Sequence, residues 1–84
     1  MSYLAHLHTV AHESLIYDRF EVRQNAAREW DVVRIRDNEV IDILYTRGHA
    51  RAVVQTLHYE LKLRANELHK RVAHDLANGT WEPL

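Results

Sequence analysis

The chain has 84 residues, with eleven Lys or Arg, twelve Asp or Glu and no Cys, and a formal net charge of -1. That length makes one domain, residues 1–84, with a modest core, and the missing Cys excludes a disulfide framework and Cys-rich zinc sites. No apolar run approaches the ~18 residues that cross a bilayer, and the N-terminus lacks the regions of a signal peptide, so a soluble, cytoplasmic protein without membrane contact is expected.

The charge is unevenly spread. Residues 1–46 carry five Arg and eight acids, whereas residues 47–78 carry six Lys or Arg and three acids. An acidic first half beside a basic second half suits either pairing between subunits or an acidic partner.

From Met1 to Ser14, Leu4, Leu7, Val10 and Ala11 recur at helical spacing and Ser2 is available as an N-cap, which predicts a short helix. From Leu15 to Arg23 the pattern alternates, with Ile16, Phe20 and Val22 on one side, and reads as a strand. Residues 24–28 are polar and small enough to connect it to the next. Trp30–Arg36 and Glu39–Tyr45 are rich in β-branched and aromatic residues around Asp37-Asn38, which predicts a hairpin with a two-residue turn. That turn sets Arg36 opposite Glu39, Arg34 opposite Ile41, Val32 opposite Ile43 and Trp30 opposite Tyr45. Val33, Ile35, Val40 and Leu44 then share the other face with Asp31 and Asp42. Both faces carry apolar residues, so something is expected to cover the second one.

Arg47–Asn78 is the longest periodic segment. Val53, Leu57, Leu61, Ala65, Leu68, Val72 and Leu76 follow one another at spacings of three or four, a single stripe of an α-helix. Thr46 supplies an N-cap, and Asn78-Gly79 a left-handed stop. Such a helix is about 48 Å long at ~1.5 Å per residue, against a diameter of about 30 Å for a compact chain of this size. It therefore overhangs its domain or bends. Ala52, Tyr59 and Leu63 form a second, shorter apolar strip that is either an association surface or ordinary exposed side chains. Beyond the helix, Trp81 is either a contact residue or folds back on the last turn.

Histidine is the one over-represented chemical residue, seven in all. His8 and His12 stand at i and i+4, within reach of one metal ion on a helix, but two ligands are not a site, and His12-Glu13 is not followed by the second His of a metalloprotease motif. No metal site is assigned. His58, His69 and His74 read as boundary residues of the long helix, and Ser14 as a small surface residue. No Ser has a nucleophile motif around it, and the two Gly, thirty-one residues apart, make no phosphate loop, so neither catalysis nor a cofactor is expected.

These residues predict an α+β fold of order α-β-β-β-α, a three-stranded antiparallel sheet on a long C-terminal helix. The expected function is protein–protein interaction, as an adaptor or as an inhibitor of a larger machine. Many stand-alone phage and mobile-element proteins of this size act so, CRISPR inhibitors among them. Trp30, Tyr45, Tyr59, Leu63 and Trp81 are the expected contact anchors, because large aromatics dominate interface energies. A homodimer is expected. The alternative is a dimeric nucleic-acid-binding regulator that uses Arg51, Lys62, Arg64, Lys70 and Arg71 of the long helix.

Overall fold

The computed structural model describes residues 3–79. In chain order it contains α1 (Tyr3–Glu13), β1 (Phe20–Gln24), β2 (Trp30–Arg34), β3 (Glu39–Leu44) and α2 (Arg47–Asn78). The three strands form one antiparallel sheet in the order β1-β2-β3. This is the α-β-β-β-α fold that the sequence predicts, with both helices on one face of the sheet. Among the described residues no helix is long and apolar enough to cross a membrane.

The core fills the space between the two helices and that face. Leu7, Val10 and Ala11 of α1 meet Phe20 and Val32 of the sheet and Ala50, Val53, Leu57 and Leu61 of α2, with Val22, Trp30, Ile41 and Leu44 around them. The i, i+3 and i+4 spacing of the helical contributors is what lets two helices converge on one sheet face. Among the described residues no buried side-chain polar atom lacks a hydrogen bond.

α2 begins and ends as its sequence dictates. The Thr46 hydroxyl accepts the His49 N–H at 3.1 Å, and Gly79, at φ 68°, donates its N–H to the carbonyls of Asp75 and Leu76. Between these caps the helix does not bend back onto the domain. It overhangs, giving a molecule 55 Å long and 25 by 19 Å across. The last core residue is Leu61, 2% exposed; Leu68 is already exposed and Leu76 is 60% exposed. The stripe read from the sequence as one buried face is therefore buried only in its first half.

Two other expectations are corrected. The strand predicted from Leu15 begins at Phe20, because Asp18 ties residues 15–18 into a turn: its carboxylate accepts the Leu15 N–H, and the Leu15 carbonyl accepts the Asp18 N–H. The hairpin register also differs. Residues 35–38 form a four-residue turn with Asn38 at φ 55°, so Arg34 faces Glu39 and Val33 faces Val40. A bulge then sets Val32 opposite Asp42, with Ile41 as the extra residue, and Trp30 opposite Leu44. An odd residue switches the faces of all that follow. Leu44 and Asp42 thus move to the helix side of the sheet, Ile43 to the open side, and Tyr45 lies beyond the pairing.

The turn is four residues long because Arg34 organises it from below. Its guanidinium donates to both carboxylate oxygens of Asp37, to Glu39 and to the hydroxyl of Ser14. Ser14 is buried, not a surface residue, and its hydroxyl donates in turn to the Val10 carbonyl at 2.8 Å. Asp18, also buried, receives Arg36 at 3.0 and 3.2 Å. The end of α1 and the β2–β3 turn are joined through these charges.

Candidate protein contact surfaces

Three surfaces gather the apolar side chains that the core leaves out. The first is the second half of α2. Leu68, Val72 and Leu76 continue the buried stripe beyond the domain with nothing of the described chain packed on them as a core. Beside the base of this overhang, His12, Leu63, Arg64, Leu68, Arg71 and His74 line an open groove of about 710 Å³ where α1 stops and α2 continues.

The second surface is the open face of the sheet. Val33 on β2 and Val40 on β3 face each other there, with Ile35 and Ile43 alongside; all but Val33 are exposed. Val33 is buried yet lies outside the main core cluster, covered by its neighbours on this face. The β1 row supplies Arg19, Glu21 and Arg23 in alternating sign, with Arg23 paired to Glu21.

The third is the outer side of α2. Ala52, Tyr59 and Leu63 lie there at helical spacing, with Tyr59 60% exposed and Leu63 less so. Ala52 also borders an apolar hollow of about 350 Å³ between Tyr3, Leu7, Leu44 and Val53.

The predicted anchors do not form one patch. Trp30 is half-buried against the core with the Arg47 guanidinium 5.8 Å above its ring, while Tyr45, beside it at the end of β3, is 86% exposed. Tyr59 and Leu63 are one turn apart on the outer side of α2, about 18 Å further along the helix from its start. Trp81 lies outside the described residues.

The basic residues are also dispersed. At roughly 100° per residue, Arg51 and Lys62 project about 160° away from Arg64 and Arg71, with Lys70 between them. Arg51, Lys62, Lys70 and Arg71 are exposed, but Arg64 is half-buried and its guanidinium donates to the carbonyls of Ala11 and of Ser14, the latter at 2.7 Å. It caps the C-terminal end of α1, where carbonyls lack helical donors.

The histidines are similarly engaged. His8 Nδ1 lies 3.0 Å from Glu60 Oε2, and among the described residues no three His, Asp or Glu converge as a metal site. The Asn78 amide lies against the His74 ring at 3.3 Å and donates to the His74 carbonyl at 2.8 Å. His58 is not merely a boundary residue: its Nε2 accepts the Phe20 N–H at 3.2 Å, and its ring is tilted on that of Phe20. Burial, helped by the charge of Arg19, pushes its pKa below the usual histidine value. On the opposite edge of the sheet the Asp42 carboxylate accepts the Ile43 N–H at 2.8 Å and the Tyr3 hydroxyl at 2.6 Å. Burial, that hydrogen bond and the carboxylate charge hold the Tyr3 phenol well above its usual range.

Sequence reading missed Arg34, Asp18, Ser14 and His58. For Arg34 a signal was present: an Arg between apolar strand residues, with acids three and five residues later, is well placed to fold onto its own turn. Compared with protein families, with curated proteins and with solved structures, the chain shows no match.

Proposed function

We propose that the protein is a non-enzymatic protein–protein interaction module, an adaptor or an inhibitor that occupies a surface of a larger machine, in the manner of phage and mobile-element accessory proteins such as CRISPR inhibitors. One observation carries this reading: α2 holds Tyr59, Leu63, Leu68 and Leu76 exposed along one continuous helix, half of which lies beyond the core. Apolar side chains fixed on a helix lose little entropy on binding, which is how interface anchors gain their weight. Tyr45 at the far end of the sheet offers a second anchor.

The test is capture of partners from source-cell lysate with tagged protein, with and without nuclease, comparing wild type with a Tyr59→Ala/Leu63→Ala variant and with Tyr45→Ala. A complex that survives nuclease and is lost with either variant supports the reading. Recovery that depends on nucleic acid and falls steeply with salt replaces it with the regulator that uses Arg51, Lys62, Lys70 and Arg71.

A further inference from the structure

Two apolar surfaces of this chain match each other in length and orientation. The overhang of α2, residues 65–78, is about 21 Å long at ~1.5 Å per residue, and the six-residue β3 spans about 20 Å. α2 is thus long enough for two sheets and covers one. The stripe Leu68, Val72 and Leu76 continues the one that packs on the domain's own sheet, so it faces the layer in which a second sheet would lie. The open face, with Ile35, Val40 and Ile43, is turned away from the domain's own helices.

We infer that a second copy of this chain occupies both surfaces: the overhang of each α2 lies across the open sheet face of the other, about a two-fold axis in the plane of the sheets. Rotation about that axis reverses the direction of α2 and exchanges the upper and lower faces. Each helix then covers its own sheet from one side and its partner's from the other. This is a closed pair with no surface left to extend it. The axis passes beside the β2–β3 turn and the end of α1, which Arg34 and Arg64 both fasten through Ser14 at the base of the overhang. Leu15, Tyr17 and Ile35, exposed in a single chain, meet their counterparts there. Counted outward from the axis, Leu68 falls over the turn end of the partner's sheet and Leu76 over its far end.

Other pairings fit less well. Two overhangs packed on each other would bring the flanks Lys62, Arg64, His69 and Arg71 of both copies together, with Asp75 on the seam. Strand addition is opposed at both edges, where His58 takes the Phe20 N–H and the Asp42 carboxylate the Ile43 N–H. Charge does not oppose the overhang on the sheet: residues 65–78 carry two bases and two acids, and the β1 row alternates in sign. Because the contact is made twice, about 400 Å² on each side of each one reaches the ~800 Å² per partner of a stable interface.

The inference deepens the surface-contact reading above and rests on it, but its test is separate. Light scattering on the full chain is expected to give twice the 9.9 kDa chain mass. Leu68→Glu/Leu76→Glu, on the helix, and Val40→Glu/Ile43→Glu, on the sheet, are each expected to halve it while the near-ultraviolet circular dichroism of the folded core around Trp30 is retained. Since the chain has no Cys, a Leu76→Cys copy mixed with an Ile43→Cys copy and a short bis-maleimide is expected to give the mixed cross-linked pair, and Leu76→Cys alone none. A monomer at every concentration, a dimer indifferent to the sheet substitutions, or a Leu76→Cys chain that links to itself would each overturn the inference. None of these bears on whether Tyr59 and Leu63 capture a larger partner.

Discussion

Arg64 of α2 reaches the carbonyl of Ser14, just past the end of α1, at 2.7 Å, at the point where α2 leaves the domain. The same guanidinium holds the Ala11 carbonyl. A cation at a helix C-terminus satisfies orphan acceptors and opposes the negative end of the dipole. Hydrogen bonds to a charged group contribute ~1.5–3 kcal/mol, so Arg64→Ala is expected to cost about 2 kcal/mol in urea unfolding. Arg64→Lys should recover part of this, since it keeps the charge and loses the fork.

Arg34 is buried, but two of its partners, Asp37 and Glu39, are exposed. Removing one member of a fully buried ion pair costs ~3–5 kcal/mol because a charge is stranded. Here Arg34→Met leaves carboxylates that water can reach, and about 2–3 kcal/mol is the expected loss. Arg34 also holds the Asp37 carboxyl down to about 2, with the Glu39 N–H and the nearby charges assisting against desolvation. The Arg34→Met variant should therefore raise the Asp37 titration midpoint in NMR toward its ordinary value.

His58 gives stability a dependence on pH below neutrality. Its folded pKa is below the ordinary 6.5, chiefly through burial, so the unfolded chain binds the proton first as pH falls. The contribution is complete above about pH 6.5 and is lost as pH falls from there to the folded value, below which it changes no further. His58→Gln, which keeps an acceptor for the Phe20 N–H, should flatten melting temperature between pH 7 and 5 relative to wild type. A His58 ring whose NMR titration midpoint lies at or above 6.5 would contradict this.

The stripe on α2 should divide energetically as it divides structurally. Leu57, 0% exposed, is expected to lose ~2–5 kcal/mol when replaced by Ala, from lost burial and the cavity left behind. Leu76→Ala should stay within ~0.5 kcal/mol at protein concentrations too low for association. Thermal melts of both variants over a dilution series check the contrast.

These two leucines also show what the sequence could and could not convey. Leu57 and Leu76 occupy the same periodic pattern, and periodicity reports which side chains share a face, not how far along that face the rest of the chain reaches. Caps were legible because Thr46 and Gly79 act within one turn of themselves. The order of elements followed from changes of period. The hairpin register was not legible, since Asp37-Asn38 suits a two-residue turn and only the pull of Arg34 on Asp37 and Glu39 selects the longer one. Of the residues expected to make contacts, Tyr45, Tyr59 and Leu63 are exposed, whereas Trp30 belongs largely to the core and Arg64 to the α1 cap.

The claim that the second half of α2 is a contact surface is tested most directly by amide hydrogen exchange along that helix across a dilution series. An isolated helical segment of this length is marginal in water and frays. The account predicts that residues 50–61 stay protected at every concentration, while residues 65–78 and the edge strand β3 are protected in concentrated protein and exchange faster together on dilution. Exchange of 65–78 at the rate of a free peptide at all concentrations would contradict it.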